Sequence, residues 1–172
     1  MPLSDLPPDL QELYAQVGIA CEIAQLVEVE AGNLALAYLT LSLKPGQEVT
    51  PVETEVFRAV IEDVNRKTLG AMFRHLRGMT TFDPVLLAIM DKALERRNYL
   101  THHFFRTHNF AIQSARGRVT MMKDLESVMD DLRRGHQSLS AMTDSVNQLA
   151  GHGKDLNAIV EKFVQRGKRI DI

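Results

Sequence analysis

The chain of 172 residues contains little cysteine and no strong hairpin signal. Its one cysteine, Cys21, excludes a disulfide framework within the chain and indicates a reducing compartment. Neither Asn-Gly nor Asp-Gly occurs in the sequence, so the commonest two-residue hairpin turns are missing. The six prolines all lie outside the long periodic segments, which leaves those segments free to form helices. These absences favour an all-α fold.

Long apolar runs and a strong net charge are also absent. The longest stretch without a charged residue covers the 13 residues 31–43, which is too short to span a bilayer. The first residues lack the basic start of a secretory signal, so we expect a cytoplasmic protein. A formal charge of −2 excludes the strongly basic chromatin-binding class. With 45% hydrophobic residues, the composition is typical of a globular protein, and we expect one domain over 1–172.

Apolar spacing of three or four residues predicts the first helix, which follows Pro7-Pro8 and runs to Lys44, before the stop at Pro45 and Gly46. Its predicted buried residues are Leu10, Leu13, Val17, Cys21, Ala24 and Val27. Residues 34–43 alternate like a strand, but a lone strand would have no partner, so we interpret them as helix with an extended segment as the alternative. Gly32 and Asn33 could mark a kink or a break.

Two further helices have clear start signals. Thr50, Pro51 and Glu53 form a capping box with proline at the first helical position, and Gly78 is expected just after the end of this second helix. Asp83 and Pro84 begin the third helix in the same way. The apolar faces are predicted at Val52, Val56, Val60, Val64, Met72 and Leu76 in the second helix, and at Leu87, Met90, Leu94 and Leu100 in the third.

The fourth helix has the most regular pattern in the chain. Steps of four and three residues connect Met121, Leu125, Val128, Leu132, Gly135, Leu139, Met142, Val146 and Leu149. Such a heptad seam packs either inside the chain's own bundle or in a coiled-coil dimer, and the other amphipathic helices favour the bundle. A short last helix is predicted over 155–165. The fold prediction is an antiparallel up-down four-helix bundle with a short additional C-terminal helix.

Positive charge is concentrated between Lys92 and Arg118. This segment contains six Lys or Arg and one acid, so its charge is +5 and the remainder of the chain carries −7. Three of the six histidines also lie there, at positions 102, 103 and 108. A basic, histidine-rich segment on an acidic protein suits a phosphate-bearing partner. The alternative is a solvated face whose charges pair with the acidic fourth helix.

The same segment contains a recognisable motif. An arginine followed by a polar residue, with a histidine four to six residues after the arginine, resembles the signature of the HEPN superfamily, and Arg97, Asn98 and His102 match it. Arg97 with His103, or Arg96 with His102, also fits the spacing. The resemblance implies a small helical-bundle domain, and many such domains resemble metal-independent ribonucleases of toxin–antitoxin and phage-defence systems. It further implies RNA as substrate, no metal or cofactor, a homodimer with paired motifs, and an antitoxin protein as partner.

One position departs from that pattern. Toxins of the HepT type carry a tyrosine two residues beyond the histidine, where this chain has Phe104. Regulation by modification of that tyrosine is therefore not expected here.

The residue types suit RNA cleavage by the ribose 2′-hydroxyl. Histidine titrates near neutral pH and can move protons, so His102 is the predicted general acid or base. The permanently charged Arg97 would stabilise the phosphorane, and Asn98 would orient the histidine or the phosphate. On a straight helix Arg97 and His102 lie about 140° apart. Either the helix is distorted, or two subunits complete the site.

Several other roles can be assigned to this segment. The predicted RNA-binding residues are Arg96, His103, Arg106, Arg116 and Arg118. Phe104, Phe105 and Phe110 could stack on bases, although apolar aromatics at helical spacing favour a core position. A metal site from the three histidines is disfavoured because consecutive residues point to different faces. The alternative function is a non-catalytic helical module that binds a protein or nucleic acid through the basic segment and the heptad seam.

Overall fold

The computed structural model describes residues 5–41 and 66–151, and between them residues 50, 52, 55, 58, 59, 62 and 63. Every regular element in these residues is helical, so the predicted all-α class is confirmed. None of the described helices is both long and apolar enough to cross a lipid bilayer.

Helix α1 runs without a break from Pro8 to Thr40. It continues through Gly32 and Asn33, so residues 34–40 are helical as predicted. Its buried line follows Leu13, Ala20, Ala24, Val27, Ala31 and Leu34. The prediction that Cys21 is buried is wrong, because the line of burial passes through the neighbouring Ala20 and leaves Cys21 exposed.

Helix α2 spans Leu69–Met79. The side chain of Thr68 accepts a hydrogen bond from the amide of Ala71 and begins the helix. Because Lys67 and Thr68 are not helical, the prediction of one helix from Pro51 to the end of this segment is wrong. Gly78 lies inside α2 rather than after it, so that prediction is wrong too. Met72 and Leu76 are buried as predicted, and Val52 is exposed. Val56, Val60 and Val64 lie outside the described residues.

Helix α3 spans Pro84–His102 and begins as predicted. The Asp83 carboxylate accepts a hydrogen bond from the amide of Val85 at 2.8 Å, with proline in the first turn. Met90 and Leu100 are buried as predicted, while Leu87 and Leu94 are half-buried.

A connector over residues 103–114 joins α3 to the last described helix. It contains the short helix α4, Phe104–Thr107, and a 3-10 turn, Ala111–Gln113. Arg118 donates a hydrogen bond to the carbonyl of Ile112 at 2.9 Å. A Cβ at Gly117 would overlap the backbone of Ala111, so glycine is required where the connector folds back onto the following helix.

Helix α5 spans Ala115–Leu149 and contains the predicted heptad seam. Seven of its nine positions are buried, Met142 is half-buried and Leu149 is exposed. The seam is therefore packed inside the chain, as the bundle alternative expects. The helix ends before Gly151, whose φ of 69° lies in the left-handed region. The predicted last helix over 155–165 lies outside the described residues.

The chain divides into two compact units, each made of two separate segments. Unit 1 comprises Met1–Val29 and Phe82–Ser138, and unit 2 comprises Glu30–Thr81 and Leu139–Ile172. In unit 1 the core includes Leu13, Val27, Met90, Phe104, Met121, Leu125 and Leu132. In unit 2 it includes Leu34, Leu69, Phe73, Leu76 and Leu139. One domain over 1–172 stays a prediction.

Helices α3 and α5 approach each other closely within unit 1. A Cβ at Gly135 would lie 2.6 Å from the Cβ of Ala93, which is fully buried. Carbon atoms normally pack at about 3.5–4.0 Å. Glycine at position 135 therefore sets how near α3, which contains the predicted motif, lies to α5.

Candidate functional site

The predicted motif occupies the last two turns of α3. His102 is the final residue of the helix, and His103 leaves the helical conformation with φ −125° and ψ −26°. The helix is regular through His102. Distortion of the helix within the motif, one of the two predicted ways of bringing Arg97 and His102 together, is therefore not found.

Arg97 contacts α1 and its own neighbour. Its Nε donates a hydrogen bond to Oε1 of Glu28 at 2.7 Å, and its Nη1 donates to Oδ1 of Asn98 at 3.2 Å. The Arg97 side chain is 23% exposed and the Glu28 side chain 35%. The guanidinium thus has a carboxylate partner on α1 and at the same time holds the Asn98 side chain.

His102 lies in a different environment. It is exposed at the end of α3, and its ring meets the ring of His103 edge-on with 6.3 Å between their centroids. Within the described chain, no hydrogen bond joins Arg97 to His102. Five residues on a regular helix separate them by about 140° around the axis. One copy of the chain therefore brings Arg97 to Asn98 but not to His102.

Two of the five predicted RNA-binding residues form ion pairs within unit 1. Arg96 Nε lies 2.8 Å from Oδ2 of Asp131, and this hydrogen bond raises the pKa of the guanidinium. Arg118 Nε lies 2.7 Å from Oδ2 of Asp9. Because Asp131 belongs to α5, the predicted alternative of pairing with the acidic fourth helix holds for Arg96. Both arginines therefore form ion pairs that hold the helices of unit 1 together.

The other three predicted RNA-binding residues remain accessible. His103, Arg106 and Arg116 are exposed, and no ion pair is seen for the two arginines within the described residues. His103 and Arg106 lie in the connector directly after His102, and Arg116 lies in the first turn of α5. Among the five predicted residues, the accessible ones are thus on the connector and in the first turn of α5.

The three aromatic residues of the connector differ in exposure. Phe104 is fully buried, as the core interpretation predicts. Phe105 is 42% exposed and its ring lies 6.3 Å from that of Tyr14, whereas Phe110 is 80% exposed. For Phe105 and Phe110, which are both exposed, the core prediction is wrong. The ring of Phe110 is the more accessible of the two. It offers a flat apolar surface on the same connector as Arg106, which suits base stacking.

A second polar cluster was not predicted from the sequence. The Asp124 carboxylate accepts a hydrogen bond from Tyr99 Oη at 2.6 Å and lies 2.8 Å from Nε2 of His108. Burial, with the hydrogen bond to Asp124, raises the pKa of the Tyr99 phenol. The cluster ties the connector to α3 and α5. No spacing rule joins positions 99, 108 and 124, because the contact depends on the path of the connector.

Metal-ligating residues do not gather in the described part of the chain. No group of three or more His, Cys, Asp or Glu side chains there could hold an ion. His108 contacts Asp124 instead of joining His102 and His103.

Comparison with known proteins does not assign a family or a function to this chain. Comparison with protein-family models, with curated proteins and with solved structures gave no match for this chain.

Proposed function

We propose that this chain is a metal-independent endoribonuclease of the HEPN type, a toxin or phage-defence effector that an antitoxin protein would restrain. The observation that carries the proposal is the exposure of His102 at the end of α3 and of His103 and Arg106 in the connector that follows it. An imidazole near permanently charged guanidinium groups is what metal-free RNA cleavage requires. The exposed Phe110 supports RNA as the ligand. The finer fold proposal is the antiparallel up-down four-helix bundle.

In this mechanism the ribose 2′-hydroxyl attacks the adjacent phosphorus. His102 takes the hydroxyl proton, and a second imidazole or water gives a proton to the departing 5′-oxygen, which leaves a 2′,3′-cyclic phosphate and a 5′-hydroxyl. Arg97 stabilises the negative charge of the phosphorane, and Asn98 keeps its guanidinium oriented. Since Arg97 and His102 are separated on one helix, the proposed enzyme is a homodimer in which each site uses Arg97 of one copy and His102 of the other.

The first experiment measures cleavage of a labelled RNA in EDTA. His102→Ala is expected to lower the rate at least about a hundredfold, since general acid–base catalysis contributes that much or more. His75→Ala is the matched control because His75 is an exposed histidine on α2. A 2′-deoxy substitution at the cleaved position should block the reaction. If the wild-type protein cleaves no RNA with or without metal, the nuclease proposal is withdrawn.

A mixing experiment tests the shared site. Arg97→Ala and His102→Ala should each be inactive alone, but half of the randomly formed dimers in an equal mixture contain one intact site. The mixture should therefore recover about a quarter of the wild-type activity. A mixture that stays inactive although sedimentation shows exchange of subunits would contradict the two-subunit site.

The second candidate function is a non-catalytic helical module that binds nucleic acid or protein. The observation that favours it is the pairing of Arg97 with Glu28, which a structural ion pair explains without catalysis. If the wild-type protein binds RNA without cleaving it, and Arg106→Ala with Arg116→Ala weakens that binding, this function replaces the nuclease. Arg133→Ala is the control, because Arg133 is an exposed arginine on α5 outside the basic segment.

A further inference from the structure

Helix α1 has a second regular stripe, about 130° around the helix axis from its buried line. Six exposed residues repeat in steps of three and four, namely Glu12, Ala15, Ile19, Glu22, Leu26 and Val29. At about 100° per residue they fall within an arc of about 100°, the spacing that packs one helix against another. We call this set the outer stripe. All of it belongs to unit 1.

The apolar members of the outer stripe are accessible. Ile19 is 42% exposed, Leu26 43% and Val29 48%. A Cβ added at Gly18, between Ala15 and Glu22 on the helix surface, would meet nothing within 4 Å. A shallow depression lined by Gln11, Glu12, Tyr14 and Ala15 lies at the N-terminal end of the stripe. The surface is therefore open along its length, about 26 Å at 1.5 Å per residue.

Charge defines what would fit this surface. Helix α1 contains five acidic residues and no lysine or arginine. Asp9 and Glu28 are paired with Arg118 and Arg97. The exposed Glu12 and Glu22 lie in the outer stripe itself, and no ion pair is seen for either in the described residues. A partner must therefore place positive charge opposite these two seam positions.

A second copy of α1 fits poorly. Parallel pairing in register would place Glu22 against Glu22, and like charges at a seam disfavour association. Antiparallel pairing of the same six positions would place Glu22 against Ile19 and Glu12 against Val29, which desolvates each carboxylate on an apolar side chain. The two glutamates of the outer stripe therefore disfavour pairing with a second α1 and favour a basic partner helix.

We infer that the outer stripe is the docking surface for a basic amphipathic helix of a partner protein, of about five turns, with apolar residues facing Ile19, Leu26 and Val29. Lysine or arginine of the partner faces Glu12 and Glu22. None of the six stripe residues is one of the proposed nuclease residues, so the inference does not rest on RNA cleavage.

The probe is a synthetic 21-residue helical peptide with a leucine seam that contains two lysines at the positions facing Glu12 and Glu22. Binding to the full chain is measured by titration calorimetry, with a second peptide in which glutamate replaces the two lysines. The lysine peptide is expected to bind, the glutamate peptide at least about tenfold more weakly, and added salt should reduce the difference.

Variants of the protein locate the binding surface. Leu26→Lys and Gly18→Lys should each weaken binding of the lysine peptide at least about tenfold. Because a Cβ at Gly18 meets nothing within 4 Å, Gly18→Lys should fold normally, and weaker binding by this variant cannot be attributed to unfolding. Val119→Lys on α5 is the matched control, since Val119 is 47% exposed and lies outside the outer stripe. Circular dichroism checks that each variant is helical.

Four results would overturn the inference. The lysine peptide does not bind, the two peptides bind equally, or Val119→Lys weakens binding as much as Leu26→Lys. The fourth is a dimer in sedimentation that Leu26→Lys converts to a monomer, because a second copy would then occupy the stripe. None of these readouts involves RNA, so failure here and failure of the nuclease proposal are distinguishable.

Discussion

The contact between Gly135 and Ala93 allows a quantitative test of how α3 is held against α5. Gly135→Ala places a methyl group 2.6 Å from the Cβ of Ala93, about 1 Å closer than carbon atoms pack. Ala93→Gly removes the opposing methyl group. The double variant moves one methyl group from α3 to α5, so the gap between the helices again holds a single Cβ.

The free energy of unfolding follows from opposing terms. Replacing a helical glycine by alanine gains about 1 kcal/mol, whereas over-packing a core costs about 1–3 kcal/mol. Because the distance is short, the over-packing cost should lie at the upper end of its range. After the gain in helix propensity is subtracted, Gly135→Ala should lower the free energy of unfolding by about 1–2 kcal/mol. Ala93→Gly should cost about 2 kcal/mol, from helix propensity and one buried methyl group. In the double variant the two helix-propensity contributions cancel, and the free energy of unfolding should fall by only about 0–1 kcal/mol.

Urea unfolding of the four proteins measures this cycle. The expected coupling energy is about 3 kcal/mol, with the double variant more stable than either single one. If the two losses simply add, the two residues are not in the contact described. A stable Gly135→Ala variant would equally refute the close approach of α3 and α5.

Two further predictions concern pH. The hydrogen bond from Arg118 lowers the pKa of Asp9 below its ordinary 3.8, so ionised Asp9 stabilises the fold above that pH and the contribution is lost as the pH falls through the lowered value. Urea midpoints of the wild type and Asp9→Asn should differ near neutral pH and converge in acid, and a gap that persists in acid would contradict the pairing. Burial and Asp124 raise the pKa of Tyr99 above its ordinary 10.0, so the unfolded chain loses this proton first and the free energy of unfolding falls above about pH 10. Tyr99→Phe should reduce that alkaline loss in urea titrations, and an unchanged alkaline slope would show that another group causes it.

Local sequence signals predicted a helix end correctly where a neighbouring side chain accepts a hydrogen bond from the first free backbone amides. Asp83 with Pro84 fixed the start of α3 correctly because the cap is made by adjacent residues. The interruption at Thr68 was missed because its neighbours continue an apolar pattern. A threonine that can cap a helix also occurs within helices, so its sequence alone does not identify the break.

The candidate site was predicted less completely, since its contacts join distant positions. The motif residues are found where the spacing placed them on α3, but the pairing of Arg97 with Glu28 spans 69 positions. Net charge along the segment could not show that Arg96 and Arg118 are paired while Arg106 and Arg116 are exposed. Phe110 was missed because the irregular connector, unlike a helix, has no periodicity that indicates exposure.

The division of unit 1 into two segments has a consequence for synthesis on the ribosome. Asp9 precedes its partner Arg118 by 109 positions, which at about 5–20 residues per second is a delay of roughly 5–20 s. Until α3 and α5 follow, Asp9 and Glu28 of α1 have no arginine partners and the buried line of the helix is uncovered. A newly made chain is therefore expected to present both sides of α1 to chaperones until α3 brings Arg97 to Glu28 and α5 brings Arg118 to Asp9.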